Sequence, residues 1–286
     1  MKRLNENPKR AIRNITDLGK RFSKGSFQNK LFTIIQEILE DENSPYYSAM
    51  QSLLNNTSSD TIKNFGINIG YNSLIIGSEI IRKYEFKNGN FISWVNLLDF
   101  DESFGSDITI DSINTIISKN KSLGMYTYII NQKGFLDNSV ELFDLFSKHN
   151  DCSFVMFLED NNLSDFQLDK IKNLTNLMLS INVNGPNSHD LISKLSSQKS
   201  LYSMHYFYDN SNVNYFTSES FVSEFLSYKS VFLFLLPKES ASEKSRAKIS
   251  NFVYSLRLNQ KYPLFIMDLY SDINRINNII SKNFIS

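Results

Sequence analysis

The chain has 286 residues, with 30 basic and 30 acidic side chains and a formal net charge of +0. That balance gives no general attraction to polyanions, so nucleic acid is not an expected partner. A single cysteine, Cys152, and three histidines, His149, His189 and His205, exclude an internal disulfide framework, a cluster held by several thiolates of this chain and a histidine-rich metal site.

Hydrophobic residues make up 41%, with 23 Phe and 14 Tyr, enough for the core of one large domain or of a domain with an appendage. Residues 1–25 carry eight Lys and Arg against Glu6 and Asp17, with Ile12, Ile15, Leu18 and Phe22 at helical spacing. This basic amphipathic helix could contact a membrane surface or dock on the main domain. A second amphipathic helix runs over Leu31–Leu39 and stops at Asp41–Pro45, and another begins at Tyr46. Asp60 is placed to cap the helix that follows. The apolar run Phe65–Ile81 is broken by Asn68, Asn72, Ser73, Ser78 and Glu79, a poor membrane span. Gly66, Gly70 and Gly77 within it suggest close backbone packing. No secretory signal is visible, so a cytoplasmic location is expected.

From Ile92 onward short apolar runs alternate with helical periods. Strands are predicted at residues 92–98, 125–130, 153–158, 178–183, 201–208, 231–236 and 264–269. Helices are predicted at 111–123, 139–149, 164–173, 189–197, 218–228 and 242–258. Continuous apolar strands separated by helices signal a parallel sheet covered by helices. An α/β barrel, complete or open, fits seven strands, and a doubly wound sheet is the alternative. In either, ligands gather at the C-terminal strand ends. Those ends offer Asp99, Asp101, Gln132, Lys133, Glu159, Asn184, Asp209, Lys238 and Asp268, a mouth of mixed charge for a polar ligand. Polar loops are also ordinary in such folds.

Several segments are similar to those of bacterial radical S-adenosylmethionine (SAM) proteins. Asp41–Leu54 resembles the lead-in of that group, an acidic turn before an aromatic pair. Ser118–Leu136 resembles its second helix and strand, Lys148–Asn161 its third strand, Leu179–Gly185 its fourth, and Lys261–Asp272 a late strand. The resemblance implies a partial or near-complete (β/α) TIM-like barrel over residues 91–286, behind a helical segment over 1–90. It also implies a CxxxCxxC loop after the first strand, whose thiolates hold a [4Fe–4S] cluster. In this chain that loop is Asp99–Asp107, which has no cysteine. The family's SAM-contacting glycines and glutamate fall on Gln132, Lys133 and Gly134, its third-strand Asn-Gly on Glu159 and Asp160, and its fourth-strand glutamate on Asn184. These departures lead to the expectation of a catalytically inactive pseudoenzyme with neither cluster nor SAM. Such a protein would serve as a regulatory, scaffold or accessory protein for a partner protein, a peptide or a small molecule. An enzyme using the mouth carboxylates, or a membrane-associated regulator docking through residues 1–25, are the alternatives. Cys152 is expected to be a buried structural thiol, and His149 a helix-end cap.

Overall fold

The computed structural model describes residues 8–22, 26–101, 109–133, 139–228 and 230–282. Five α-helices and one π-helical stretch come first: α1 (Pro8–Phe22), α2 (Ser26–Glu40), α3 (Pro45–Asn56), α4 (Ser59–Ile67), the π-helix Asn68–Gly77 and α5 (Ser78–Asn88). Then come β1 (Val95–Asp101), α6 (Ile110–Ser122), β2 (Thr127–Lys133), α7 (Ser139–Lys148), β3 (Ser153–Leu158), α8 (Asp165–Lys172) and β4 (Leu177–Asn182). The chain continues through α9 (Ser188–Ser197), β5 (Tyr202–Tyr208), α10 (Val213–Phe216), α11 (Glu219–Leu226), β6 (Phe232–Pro237), α12 (Glu243–Leu258), β7 (Phe265–Asp268) and α13 (Leu269–Lys282).

The seven strands form one sheet in the order β1 to β7, and every neighbouring pair is parallel. This sheet curls into a half-barrel, the partial barrel expected from the strand–helix repetition and not a doubly wound sheet. Each strand follows the previous one through a covering helix, the sequential connection that parallel pairing requires. The helices begin at Ser or Thr residues whose hydroxyls accept otherwise unpaired amides: Thr109 from Ser112, Ser218 from Phe221 and Ser242 from Ser245. Ser164 and Gln167 form a reciprocal capping box at the start of α8. At α4 the cap is Ser58, which accepts from the Thr61 amide at 3.2 Å, and Asp60 sits inside the first turn.

Alternation along the strands divides the core in two. Tyr128, Ile130, Phe154, Met156, Leu179, Met204, Tyr206, Leu233 and Leu235 face the helices. Val95, Ile129, Val155, Phe157, Met178, Phe234 and Leu236 face the inside of the curl. The inner layer is closed by Phe65 and Ile81 from the N-terminal helices and by Leu269, Ile273 and Ile280 from α13. The polar residues that spoil Phe65–Ile81 as a membrane span are its docking groups. Asn68 Nδ2 donates to the Cys152 carbonyl at 2.8 Å and Asn72 Nδ2 to that of Asp151 at 2.9 Å. Ser73 Oγ lies 2.7 Å from Thr127 Oγ1, which lies 2.9 Å from Ser153 Oγ. Gly77 meets the chain at Gly124 with no room for a side chain, whereas Gly66 and Gly70 face open space, so the packing expectation holds for Gly77 alone. Among the described residues, no helix is long and apolar enough to cross a membrane.

The first helix docks on its neighbours. Arg13 Nε donates to Tyr47 Oη at 2.7 Å and Nη2 to the Leu39 carbonyl at 2.9 Å, beside a small apolar cluster of Ile12, Leu39 and Tyr47. At the other end of the chain, α13 runs back from β7 to the opposite edge of the sheet. There the buried Asn277 side chain accepts from the Trp94 amide at 3.0 Å and bonds Ser93. Arg257 clamps the start of this helix by donating to the Ile266 carbonyl at 2.7 Å and, through both terminal nitrogens, to the Asp272 carboxylate. Asp272→Ala strands part of a half-buried guanidinium and should cost about 1–3 kcal/mol in urea unfolding. A loss below about 0.5 kcal/mol would show the clamp to be incidental.

Candidate functional site

Strand pairing carries the first two strands further than their apolar runs suggest. Asp99 pairs in register with Asn131 and Asp101 with Lys133, so the predicted loop residues Asp99, Asp101, Gln132 and Lys133 lie within strands. Alternation then sorts them. Asp99, Asp101 and Lys133 share the inner parity of Val95 and Ile129, whereas Gln132 shares that of Tyr128 and Ile130 and is 2% exposed. Gln132 therefore belongs to the layer beneath the helices, where its Oε1 accepts from the Glu159 amide at 3.4 Å.

Asp99 is the centre of the first polar group at the mouth. Its Oδ1 accepts from Asn131 Nδ2 at 2.8 Å and its Oδ2 from Lys133 Nζ at 3.0 Å. The Asn131 bond, followed by the lysine, holds the Asp99 carboxyl below the ordinary carboxylate range. Lys133 is pushed up, first by its bond to Asp99, with Asp101 and Glu159 adding to the field. Three carboxylates thus surround one ammonium, and this sector is net negative. Among the described residues no group of three acidic, His or Cys side chains has the arrangement to hold a metal ion.

A second polar group stands at the end of β5 and β6. Asp209 accepts from the Ser211 amide at 2.9 Å, from its hydroxyl at 2.5 Å and from Lys238 Nζ at 3.0 Å. The Ser211 hydroxyl, then Lys238, hold the Asp209 carboxyl down at about 2. Asn210 ties this loop to the next one, accepting from the Ser242 amide at 2.9 Å and donating to the Ser240 carbonyl at 3.0 Å. The pair therefore sits on a fixed base.

Between the two groups stands the end of β4. Asn161 reaches under it, donating to the Asn182 carbonyl at 2.8 Å and the Pro186 carbonyl at 3.0 Å. A side chain at Gly185 would come within 2.9 Å of the Asn161 amide, which accounts for the glycine there. Asn184 is exposed, and its amide donates to Asn182 Oδ1 at 3.2 Å. Asp268 does not join the mouth. It is 3% exposed, shares the outer parity of Ile266, and burial raises its carboxyl.

The inner wall also holds groups that the sequence does not single out. His205 is fully buried on the inner face of β5, in register with Asn182 on one side and Phe234 on the other. Its Nδ1 lies 3.1 Å from Ser180 Oγ, and its ring packs edge-on against Phe157 and Phe207, at 5.0 and 5.3 Å between centroids. Burial pushes the imidazole down to about 3, so it is neutral at physiological pH, and Nε2 has no partner among the described residues. A histidine at an inward position of an apolar strand was the available signal.

Outside the mouth, Cys152 is fully buried at the start of β3, and burial pushes its thiol up to about 12, as suits a structural residue. His149 differs from the charged cap expected of it. Burial lowers its imidazole, and Nε2 bonds Asn114 at 2.8 Å. Residues 102–107 of the acidic loop, together with Gly134 and Phe135, lie outside the described residues.

No family model matches the chain, and no curated protein does. Solved structures do resemble it. SuiB of Streptococcus suis bound to S-adenosylmethionine is similar over 66% of this chain and 50% of that one, with TM-score 0.49 and 8% identity. The chain thus spans about half the length of the SuiB structure. anSMEcpe with bound AdoMet and a Cp18Cys peptide is similar over 60% of this chain and 63% of that one, with TM-score 0.42 and 11% identity. A dihydropteroate synthase of Xanthomonas albilineans is similar over 58% and 67%, with TM-score 0.40 and 8% identity.

Each of these likenesses is one of fold alone. The expectations of a catalytically inactive regulatory, scaffold or accessory protein, of a chain that is not an enzyme and of one with neither SAM nor cluster are corrected by this comparison. SuiB and anSMEcpe are radical SAM enzymes, and both of the structures cited for them hold AdoMet. The chain's own thiols do not fit the cluster that such a fold implies. One cysteine cannot supply three thiolates, and Cys152 lies at the N-terminal end of β3, away from the mouth.

Proposed function

We propose that the C-terminal face of the half-barrel receives an extended peptide, and that the chain is an enzyme acting on it. The observation that carries this reading is the pair of separate charged groups on one face. Asp99, Asp101 and Glu159 around Lys133 form the first, and Asp209 with Lys238 the second. From β2 to β5 is three strand spacings, about 14 Å along the sheet, or about four residues of extended chain. Between the two groups lie exposed Asn184 and half-buried Asn182 and Phe207, which suit amide groups and an apolar side chain. The net-negative sector at β1–β3 favours a basic side chain or an amino terminus. It disfavours phosphate-rich ligands. Both groups are ready to exchange partners, since Lys133 and Lys238 are each about half exposed. This reading rests on the geometry of the face and not on the distant likeness to other structures.

Fluorescence anisotropy with a pool of labelled hexapeptides, each with a fixed Lys and Glu, tests it. Asp99→Asn and Lys238→Ala should each weaken binding about three- to tenfold, and added salt should weaken the wild type in the same direction. Phe166→Ala, on the outer surface of α8, serves as the control. Unchanged affinity in both mouth variants would sink the reading.

A further inference from the structure

We propose that His205 is a ligand-contacting residue below the mouth, whose Nε2 pairs with the hydroxyl of a tyrosine side chain on the bound peptide. The proposal rests on the peptide reading above and adds the class of side chain that enters the half-barrel.

The inner face of β5 rises from His205 through Phe207 towards Asp209, one inward position at a time. His205 therefore stands two such positions below the Asp209–Lys238 pair. Phe207 on its own strand and Phe157 on β3, two strands away, pack edge-on against it, and Phe234 is its register partner on β6. The ring is held on one side by Ser180, whose hydroxyl is itself fully buried. The other nitrogen has no hydrogen-bond partner among the described residues. A leucine or phenylalanine would fill this position without that cost, because a buried polar atom left unpaired is destabilising. The fold thus keeps a fixed, uncharged hydrogen-bonding group among aromatic rings.

The missing partner must have an apolar body and a polar tip. Tyrosine and tryptophan are the peptide side chains of that kind. The Ser180 contact leaves two tautomers open. If Nδ1 accepts from the serine hydroxyl, Nε2 carries the proton and donates. If Nδ1 donates, Nε2 accepts. A phenol satisfies either case, whereas an indole N–H satisfies only the second. Phe207 is half-buried and lies between His205 and the mouth. A tyrosine entering from the mouth passes Phe207 to reach the imidazole and replaces part of that edge contact.

Two matched pools of acetylated, amidated hexapeptides with Lys and Glu fixed test this, one with Tyr and one with Phe at a central position. With the full chain, the Tyr pool should bind about tenfold more tightly, and the histidine Nε2 resonance of 15N-labelled protein should shift only with that pool. His205→Asn keeps a group for Ser180 and removes the Nε2 position, so it should abolish the preference. His205→Gln keeps a polar atom at the Nε2 position and should retain part of it. Equal binding of the two pools to the wild type, or an unmoved Nε2 resonance, overturns the proposal. If neither pool binds, the peptide reading falls with it. If both bind equally while Asp99→Asn still weakens them, His205 alone is ruled out.

Discussion

Gly77→Ala is expected to cost about 3 kcal/mol or more in urea unfolding. A Cβ at position 77 would sit 2.2 Å from the Gly124 carbonyl oxygen and 3.0 Å from that of Asn72. Both obstacles are backbone, so no rotamer change relieves them. Gly124→Ala should be at least as severe. Its Cβ would lie 2.4 Å from the Gly77 carbonyl, and its φ of +93° is outside the range that an L side chain accepts readily. Gly66→Ala supplies the contrast. That glycine is exposed in α4 with nothing within 4 Å, so alanine there should stabilise by up to about 1 kcal/mol. If Gly77→Ala loses less than about 1 kcal/mol, the contact between the π-helix and the start of β2 is looser than described.

The second large effect is the acid sensitivity set by His205. Its folded-state pKa of about 3 lies below the ordinary histidine value of about 6.5. Above pH 6.5 neither state binds the proton, and the group contributes nothing to pH dependence. As pH falls below 6.5 the unfolded chain takes a proton that the folded chain refuses, so stability drops by about 1.4 kcal/mol per pH unit until about pH 3. At pH 4.5 the accumulated loss is about 2–3 kcal/mol. His205→Asn should remove this slope, whatever it does to stability at pH 7. The ring's described contacts are Ser180, Phe157 and Phe207, none of them charged. Asp268 acts in the opposite sense, since burial raises its carboxyl and its contribution fades as pH rises. Subtracting the variant's profile from that of the wild type cancels it. Parallel profiles between pH 7 and 4.5 would show that His205 takes up its proton in the folded state.

The strand–helix alternation was legible because both sheet faces are covered. Strands such as Ser153–Leu158, buried at every position, read as unbroken apolar runs. The polar ends of β1 and β2 were not legible as strand. Asp99, Asp101, Asn131 and Lys133 look like loop residues, and only their mutual pairing extends the ladder to them. For the same reason the mouth was legible as a set of residue types but not as a geometry. Gln132 and Asp268 fall on the outer parity, which a one-residue shift in strand register decides. His205 escaped because a lone histidine among apolar residues has no spacing to read. The closing helix carries Leu269, Ile273, Ile276 and Ile280 at helical intervals, but nothing local in that pattern reveals that they cover the inside of the sheet.

That closing helix has a consequence for how the protein is made. Neighbouring strands are also successive in the chain, so each parallel pair can form as soon as its own strand–helix–strand segment has been synthesised. The seam between Trp94 and Asn277 is different, because donor and acceptor are 183 positions apart. Until the segment around Asn277 leaves the ribosome, the Trp94 amide has no partner and the inner apolar wall lacks Ile273 and Ile280. The nascent chain is therefore an uncapped trough until α13 emerges. Binding of a holdase chaperone to stalled chains should end abruptly once that last helix is exposed.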